Sequence, residues 1–390
     1  MYTKKHLVIT AIVAVVVTAL ISCVCFFSVT VYDSFDEISR AKQIIESEYV
    51  NSLSDEQKDR MQDWAIQGMV ASLGDQYSRY LNTEDMEEYT EEHQENYVGI
   101  GVSVMFDGLE ETLTVVSPYD GSPAQKAGIL PGDIITHVDD IEVSVETYDA
   151  VIEYIRSGQN DTMAFRIDRD GEVLLKSVTR EAVKRQSVSH KMFGDGLGYV
   201  RVSEFIQSTD ADFKLAVKDL KERGMRGLII DLRNNPGGYA QTVISMTDSL
   251  LPEGVIAYLE DSHGKRQYFH SDAEALEMPM VVLINRGTAS ASELLAGSLQ
   301  AHGLATVIGE KSYGKAVGQS LYPLSAKTAI YLTNSRYFTP KGNCIDGVGI
   351  EPEIPVPLAD ELLSKIGILE PDDDAQLAKA IEVLLSKTVQ

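Results

Sequence analysis

A short stretch around Ser290 and Ser292 combines the residue types and the turn that nucleophilic catalysis by serine requires. The apolar run 281–284 predicts a buried strand, residues 285–287 interrupt it, and an apolar helix-forming pattern begins at Leu294. A serine at such a strand-to-helix turn is held beside the unpaired N–H groups of a helix N-terminus. Because those donors can stabilise an oxyanion, the stretch predicts a candidate nucleophile.

The same stretch also permits a purely structural interpretation. Ser290 and Glu293 have the spacing of a capping box, in which the serine side chain caps the helix and the glutamate bonds back to the serine backbone. Taken alone, this tetrapeptide is more typical of a helix start than of an active site. The choice between the two interpretations depends on residues elsewhere in the chain.

A serine nucleophile needs a base, and Lys315 is the main candidate. None of the seven histidines lies in a recognisable triad motif, and the chain has no Gly-x-Ser-x-Gly elbow. Lys315 lies in the otherwise uncharged run 312–326, and a buried lysine can be neutral because desolvation penalises its ammonium. A surface lysine is the alternative. A Ser-x-x-Lys motif starting at Ser312 is another, but Gly314 disfavours the helix that such a motif needs.

The segments before this stretch predict the scaffold. Residues 197–202 and 227–233 predict strands, and residues 211–223 and 241–250 predict helices. Strands that alternate with helices indicate a parallel or mixed sheet covered by helices. In such folds the sites lie in loops after strands. The loops 234–238 and 285–292 both follow apolar strands, so they are expected to meet at the site.

Residues 95–180 have a different pattern, with short strands and two short helices. The order of these elements resembles a PDZ domain. Gly99, Ile100, Gly101 and Val102 match its carboxylate-binding loop, and residues 122–133 match another recognisable part of the family. Backbone N–H groups of such a loop can bind a terminal carboxylate, and a strand edge can add a peptide. The alternative is a glycine loop that merely turns the chain.

Composition excludes several classes of function. The net charge of −25 disfavours nucleic acid as a partner, because phosphate binding needs a basic face. Cys23 and Cys25 lie in an apolar segment, which leaves Cys344 as the only cysteine of the body. The spacing predicts neither a disulfide framework nor a metal cluster, and Cys344 is interpreted as structural.

The N-terminus predicts a membrane anchor. Residues 7–31 contain no charged side chain, follow Lys4 and Lys5, and precede acidic residues. The run is long enough to span a bilayer, and the positive-inside rule places the N-terminus in the cytoplasm and the body outside. A cleaved signal peptide is an alternative, and a lipobox ending at Cys23 is another.

Several motifs in a fixed order resemble the C-terminal processing peptidases, carboxyl-terminal serine proteases with an embedded PDZ domain. The resemblance covers nearly all of residues 73–357. Besides the PDZ segment, it rests on the stretches 74–78, 231–238, 285–293, 314–319 and 347–352. It implies a multidomain α/β protein, with a mixed-sheet α/β serine protease core, an inserted PDZ domain, and helical N- and C-terminal segments.

The resemblance also implies roles for individual residues. Ser290 is similar to the family nucleophile, Lys315 to its general base, and Gln319 to the residue that orients the lysine. The oxyanion hole would be formed by backbone N–H groups of Ala291 and of the turn at Gly237 and Gly238. The implied reaction is peptide hydrolysis through an acyl-enzyme, without a metal or organic cofactor. Ala316 departs from the family pattern, in which glycine is usual at that position.

The domain limits expected from this reading are an anchor at 1–32, a helical segment at 33–94, the PDZ domain at 95–180, the protease core at 181–357 and a helical segment at 358–390. The partners implied are proteins or peptides with accessible C-termini, and the terminal helices mediate dimers in some relatives. Two alternatives remain open: an inactive scaffold that only binds peptides, and a hydrolase with a histidine base.

Overall fold

The fold is described from a computed structural model of the chain. The structure describes Thr18 and residues 37–92, 94–107, 111–119, 121–157, 160–169, 171–272 and 274–388. The predicted membrane anchor at 7–31 therefore lies outside the described residues, except for Thr18. Within the described ranges, no helix is both long enough and apolar enough to cross a bilayer.

The described residues form nine helices and nineteen strands. The helices are α1 (37–48), α2 (Asp55–Ala71), α3 (Thr83–Glu92), α4 (Pro123–Lys126), α5 (Tyr148–Ser157), α6 (Thr209–Glu222), α7 (Ala240–Asp248), α8 (Ala291–His302) and α9 (Ala375–Thr388), with 3-10 segments at Gly194–Gly196 and Asp360–Lys365. The strands are β1 (Arg79–Leu81), β2 (Asn96–Gly99), β3 (Val102–Asp107), β4 (Thr112–Pro118), β5 (Ile134–Val138), β6 (Ile141–Glu142), β7 (Thr162–Arg169), β8 (Glu172–Thr179), β9 (Glu181–Lys184), β10 (Val188–Phe193), β11 (Leu197–Val202), β12 (Gly227–Asp231), β13 (Gly254–Asp261), β14 (Arg266–Ser271), β15 (Met280–Ile284), β16 (Ala305–Gly309), β17 (Val317–Pro323), β18 (Ala329–Phe338) and β19 (Ile354–Pro355).

The chain divides into two compact units between Asn82 and Thr83. In the first unit, Ser54 and Gln57 form a capping box that starts α2. The Tyr80 hydroxyl donates to Asp63 at 2.7 Å and ties β1 to α2. The domain limits derived from the sequence, which fall at other residues, stay predictions.

After α3, the second unit contains a small β-domain that has the predicted PDZ pattern. Its sheet runs β3–β4–β5–β7–β8, with β6 paired to β5, and it encloses a core of its own. The entering strand β2 pairs with the leaving strand β9 in antiparallel fashion. The domain is therefore an insertion whose two ends are held together.

The central sheet of the second unit has the strand order β10–β11–β12–β15–β16–β19. Strands β11, β12, β15, β16 and β19 are parallel, and β10 is antiparallel to β11. Along β12 and β15, alternate side chains enter two different cores, because successive residues of a strand point to opposite faces. Both strands are fully buried, as their apolar sequences predict.

Helices cover the two faces of this sheet unequally. On one face pack α6, α7 and α8, whose buried side chains join those of β12 and β15. On the other face, Leu377, Ala380 and Leu384 of α9 pack against β11, β12, β15 and β16. The C-terminal helix thus completes the core, and it lies in the segment 358–390 that the sequence predicted to be helical.

A second, antiparallel sheet stands beside the central one. In it, β14 pairs with β13, β13 with β18, and β18 with β17. The predicted mixed-sheet α/β architecture is confirmed, and the carboxyl ends of β12 and β15 lead directly into the two loops expected at the site.

Candidate active site

Ser290 occupies a strained turn between the buried strand β15 and helix α8. Its backbone has φ 56° and ψ −118°, a combination that is rare for a residue with a side chain. Ser290 is half-buried and lies on the wall of a large cavity. The turn therefore holds this side chain toward the cavity at the N-terminus of a helix.

Glu293 links this turn to the loop that carries Lys315. One carboxylate oxygen accepts from the N–H groups of Ser290 and Lys315, both at 2.8 Å. The other accepts from the Ser312 hydroxyl at 2.5 Å and from the Gly314 N–H at 2.7 Å. The predicted capping-box bond from the Ser290 N–H to Glu293 is thus present, and it is one of four hydrogen bonds that this carboxylate accepts. Burial raises the pKa of Glu293, although all four donors favour the ionised carboxylate.

The loop with Lys315 is irregular and leads into β17. Residues 311–316 are not helical, so Ser312 and Lys315 do not form the helical Ser-x-x-Lys motif. Ser312 is buried, and its hydroxyl oxygen accepts from the Ile350 N–H at 2.6 Å. Lys315 is half-buried and lines the same cavity as Ser290. Ala316, the departure from the family pattern, is fully buried.

The two predicted oxyanion glycines differ in the state of their N–H groups. The Gly237 N–H donates to the Asn235 side chain at 2.9 Å, so this donor is already engaged. Within the described part of the chain, the N–H groups of Gly238 and Ala291 have no acceptor. A Cβ at Gly237 would lie 2.8 Å from Ser290 Cβ and 3.0 Å from the Ala291 nitrogen. The glycine turn therefore approaches the serine as closely as the backbone permits.

Ser292, the second serine of the stretch, has a structural environment. It is fully buried, and its hydroxyl donates to the Asn235 carbonyl at 3.1 Å. The Asn235 carbonyl also accepts from the Ala289 N–H at 3.0 Å. Ser292 therefore joins the start of α8 to the loop 234–238 by a hydrogen bond, and it does not line the cavity.

A cavity of about 1440 Å³ brings together residues from both domains of the second unit. Its wall contains the following predicted site residues: Ser290, Ala291, Gly238, Lys315 and Gln319 from the core, and Gly99, Ile100 and Val102 from the PDZ loop. The Gln319 amide nitrogen lies 3.3 Å from Thr333 Oγ1 and 3.4 Å from the Val317 carbonyl. A peptide held at the PDZ loop and one held at Ser290 would thus share a single space.

Gly101 is the predicted loop residue that does not line this cavity. Its backbone has φ 69°, and a Cβ there would lie 2.5 Å from Ser122 Cβ. A side chain at position 101 would therefore clash with Ser122, so the loop requires glycine there. Tyr97, which precedes the loop, has its pKa raised by burial.

Sequence reasoning missed a buried ionic cluster beneath the site. Arg233 is fully buried and pairs with Asp231 at 2.6 Å and with Asp374 at 2.8 Å. The Tyr199 hydroxyl donates to Asp231 at 2.7 Å. Asp374 in turn accepts from the first N–H groups of α9. The cluster joins the end of β12 to the C-terminal helix. The sequence signal that could have revealed it is the charged pair Asp-x-Arg at the end of an apolar strand.

The structure offers no metal site among the residues that it describes. Cys344, the cysteine interpreted as structural, is half-buried there with a free thiol.

Comparisons with known proteins agree with this arrangement. Residues 196–356 match peptidase family S41, residues 114–169 match a PDZ domain, and residues 27–85 match the N-terminal domain of the activating protease CtpB. A carboxy-terminal-processing protease of Bartonella bacilliformis is 34% identical over 339 residues, which cover 83% of this chain and 76% of that protein. The carboxy-terminal processing protease CtpB of Bacillus subtilis is 31% identical over 331 residues, which cover 83% and 68%.

A solved structure extends the likeness to the fold. The photosystem II D1 C-terminal processing protease aligns with a TM-score of 0.51 and 27% identity, over 82% of this chain and 92% of its own. The α/β core, the serine turn and the inserted domain define a serine-type peptidase with a PDZ domain. Within that class, the chain belongs to peptidase family S41 and is a relative of the carboxy-terminal processing proteases.

Proposed function

We propose that this peptidase is an endopeptidase that cuts protein C-terminal regions by a Ser/Lys mechanism. Ser290 attacks the scissile carbonyl, Lys315 accepts its proton and later returns it to the leaving amine, and water hydrolyses the acyl-enzyme. The single observation that carries this proposal is the placement of Ser290. It stands at a strained helix start, on the cavity that Lys315 also lines, with unpaired N–H groups on both sides.

In this proposal the oxyanion hole consists of the N–H groups of Ala291 and Gly238. Both are free to donate, whereas the Gly237 N–H is bonded to Asn235. Ala291 is the first residue of α8, so the helix dipole adds to its donor strength. We assign Gln319 the role of orienting Lys315. Both residues line one cavity, and Gln319 lies on β17, the strand that follows the loop with Lys315.

The PDZ domain is proposed to bind the substrate C-terminus at residues 99–102. The support is that Gly99, Ile100 and Val102 line the cavity that contains Ser290. The backbone N–H groups of this loop are the proposed donors to the carboxylate. Calorimetry with a peptide acid and its C-terminal amide tests this proposal. Binding of the acid alone supports it, and equal binding of the two contradicts it.

The location proposed for the protein follows from residues 7–31. An uncharged run of this length after two lysines would anchor the body outside the cytoplasmic membrane. Protease treatment of intact spheroplasts tests the orientation. Digestion of the body without lysis agrees with the proposal, and protection of the body until lysis contradicts it.

Hydrolysis is tested with casein and with a peptide library, using wild-type protein and Ser290→Ala. The proposal expects cleavage by the wild type and none by the variant. Cleavage that persists in Ser290→Ala but disappears in a histidine variant would favour the histidine-based hydrolase instead. An inactive wild type that still binds peptides at the PDZ loop would favour the scaffold.

A further inference from the structure

Asn234 lies just before the glycine turn and bonds to the loop that ends at Ser290. Its backbone N–H donates to Asn285 Oδ1 at 2.9 Å, and its own Oδ1 accepts from Asn285 Nδ2 at 2.8 Å. This reciprocal pair joins the loop after β12 to the loop that ends at Ser290. Asn285 is fully buried, and a Cβ at Gly287 would lie 2.8 Å from Asn234 Oδ1. The pair is therefore tightly enclosed.

Asn234 also sets the direction of the chain toward the oxyanion donor. Its φ of 58° is left-handed, a conformation that asparagine tolerates better than most residues. The next residue, Asn235, bonds to Gly237 and to the carbonyl of Val202. A change at Asn234 would thus be passed through Asn235 to the position of the Gly238 N–H.

The remaining donor of Asn234 points away from the catalytic loops. Its Nδ2 donates to the Leu363 carbonyl at 3.1 Å and lies 3.8 Å from the sulfur of Met105. Met105 belongs to PDZ strand β3. Leu363 belongs to residues 356–374, which connect β19 to α9 and are called the C-terminal strap here. One amide therefore contacts the catalytic turn, the strap and the PDZ domain.

The C-terminal strap is fixed at its ends and packed against the PDZ domain in its middle. The Val356 N–H donates to Gly309 at 2.9 Å, and Asp374 pairs with buried Arg233 at 2.8 Å. Between these ends, the 3-10 segment Asp360–Lys365 contacts β3 and β4. The strap is thus in contact with the inserted domain. The side chain of Asn234 joins the strap to the oxyanion turn by a hydrogen bond.

We propose that Asn234 is a positioning residue of the protease, which holds the oxyanion turn against the C-terminal strap and PDZ strand β3. The Gly238 N–H is then presented to the substrate carbonyl while these contacts are made. This inference rests on the proposed Ser/Lys function, because it assigns Gly238 to the oxyanion hole. Asn234 itself touches no reacting atom in this scheme.

The test compares wild type with Asn234→Gly, which keeps the left-handed backbone and removes the side chain. Because a misplaced catalytic group of this kind is costly, kcat is expected to fall between about 10-fold and 100-fold, while KM stays nearly unchanged. A peptide boronate mimics the tetrahedral oxyanion, so its inhibition constant should rise by the factor lost in kcat/KM. The matching peptide acid should inhibit wild type and variant equally.

Two further variants keep the test decisive. Asn234→Asp retains an acceptor for Asn285 but loses the donor to Leu363, and it should lower kcat in the same direction even if the glycine variant does not fold. Asp195→Gly is the matched control, because Asp195 has φ 60° on an exposed turn. It should behave as wild type.

Unchanged kcat in both Asn234 variants would overturn the inference. So would an equal rise in the inhibition constants of the boronate and the peptide acid, since that pattern indicates general loss of binding. The proposed function is judged separately by Ser290→Ala. If Ser290→Ala is inactive while both Asn234 variants match wild type, only this inference fails.

Discussion

The carboxylate of Glu293 accepts four hydrogen bonds that hold the site together. Glu293→Gln tests this role with almost no change in the shape of the side chain. The four donors around Glu293 require two oxygens, whereas glutamine offers one oxygen and an NH₂ group. If the NH₂ faces Ser312, that hydroxyl can rotate and accept. The Gly314 N–H is then left without a partner. In the opposite orientation, the N–H groups of Ser290 and Lys315 lose theirs.

The magnitude follows from that orphaned group. One buried unsatisfied N–H, with weaker bonds at the remaining three positions, is expected to lower the unfolding free energy by about 1–3 kcal/mol. Because Gly314 precedes Lys315, its displacement also moves the proposed base. We therefore expect kcat to fall by about tenfold or more. Urea denaturation and peptide turnover measure the two effects.

The pH dependence of the unfolding free energy provides an independent test of the role of Glu293. Burial raises the pKa of Glu293 above its ordinary value of 4.5. A carboxyl whose pKa is higher in the folded state contributes stability below its unfolded pKa, and that contribution is lost as the pH rises through its folded pKa. Glutamine does not titrate. The gap in unfolding free energy between wild type and Glu293→Gln should therefore be wider below about pH 4 than near neutrality.

A matched control is available on the same side of the molecule. Glu351 is exposed and pairs with Lys311 at 3.3 Å, so Glu351→Gln should change stability by less than about 0.5 kcal/mol. Wild-type kcat and stability in Glu293→Gln would refute the reasoning about the four donors. A gap that narrows on acidification would refute the assigned direction of the pKa shift.

Three further substitutions probe the surroundings of the site. Gly237→Ala should abolish peptide turnover, because a Cβ there would lie 2.8 Å from the Cβ of Ser290, the proposed nucleophile. Gly224→Ala is the control for positive φ, because Gly224 has φ 87° and open space around it. Ser292→Ala should cost about 1 kcal/mol in thermal unfolding and retain most activity, since it removes one structural hydrogen bond. Arg233→Met should cost about 3–5 kcal/mol in urea unfolding, because it leaves two buried carboxylates without their cation. Burial alone would raise the pKa of Asp231, but Arg233 holds it below 3.8. That stabilisation is present above the unfolded pKa and lost as the pH falls through the folded pKa, so wild type and the arginine variant should converge in acid.

Much of the scaffold could be predicted from hydrophobic patterning. Strand β11 was expected at its observed bounds, and the helix expected at 211–223 lies at Thr209–Glu222. Such segments succeed because burial requires a regular spacing of apolar residues. The hairpin of β13 and β14 was not predicted, because its strands are partly exposed and mix charged with aromatic residues.

The site was predictable in its outline and not in its hydrogen bonds. Ser290 and Lys315 were selected by motif, and they line one cavity in the structure. Of the four bonds to Glu293, the capping-box spacing predicted only the one from the Ser290 N–H; the other three and the pairing of Asn234 with Asn285 had no signal in the sequence. Polar residues far apart in the chain can meet in many ways, and only the folded backbone determines which donors are left for an acceptor.

The central claim is that Ser290 and Lys315 together cut peptide bonds. Mass-spectrometric mapping of the products made by wild type, Ser290→Ala and Lys315→Ala tests it most directly, with circular dichroism confirming that each variant is folded. We expect defined products from the wild type and none from either variant. Full cleavage at the same bonds by folded Ser290→Ala or folded Lys315→Ala would contradict the claim.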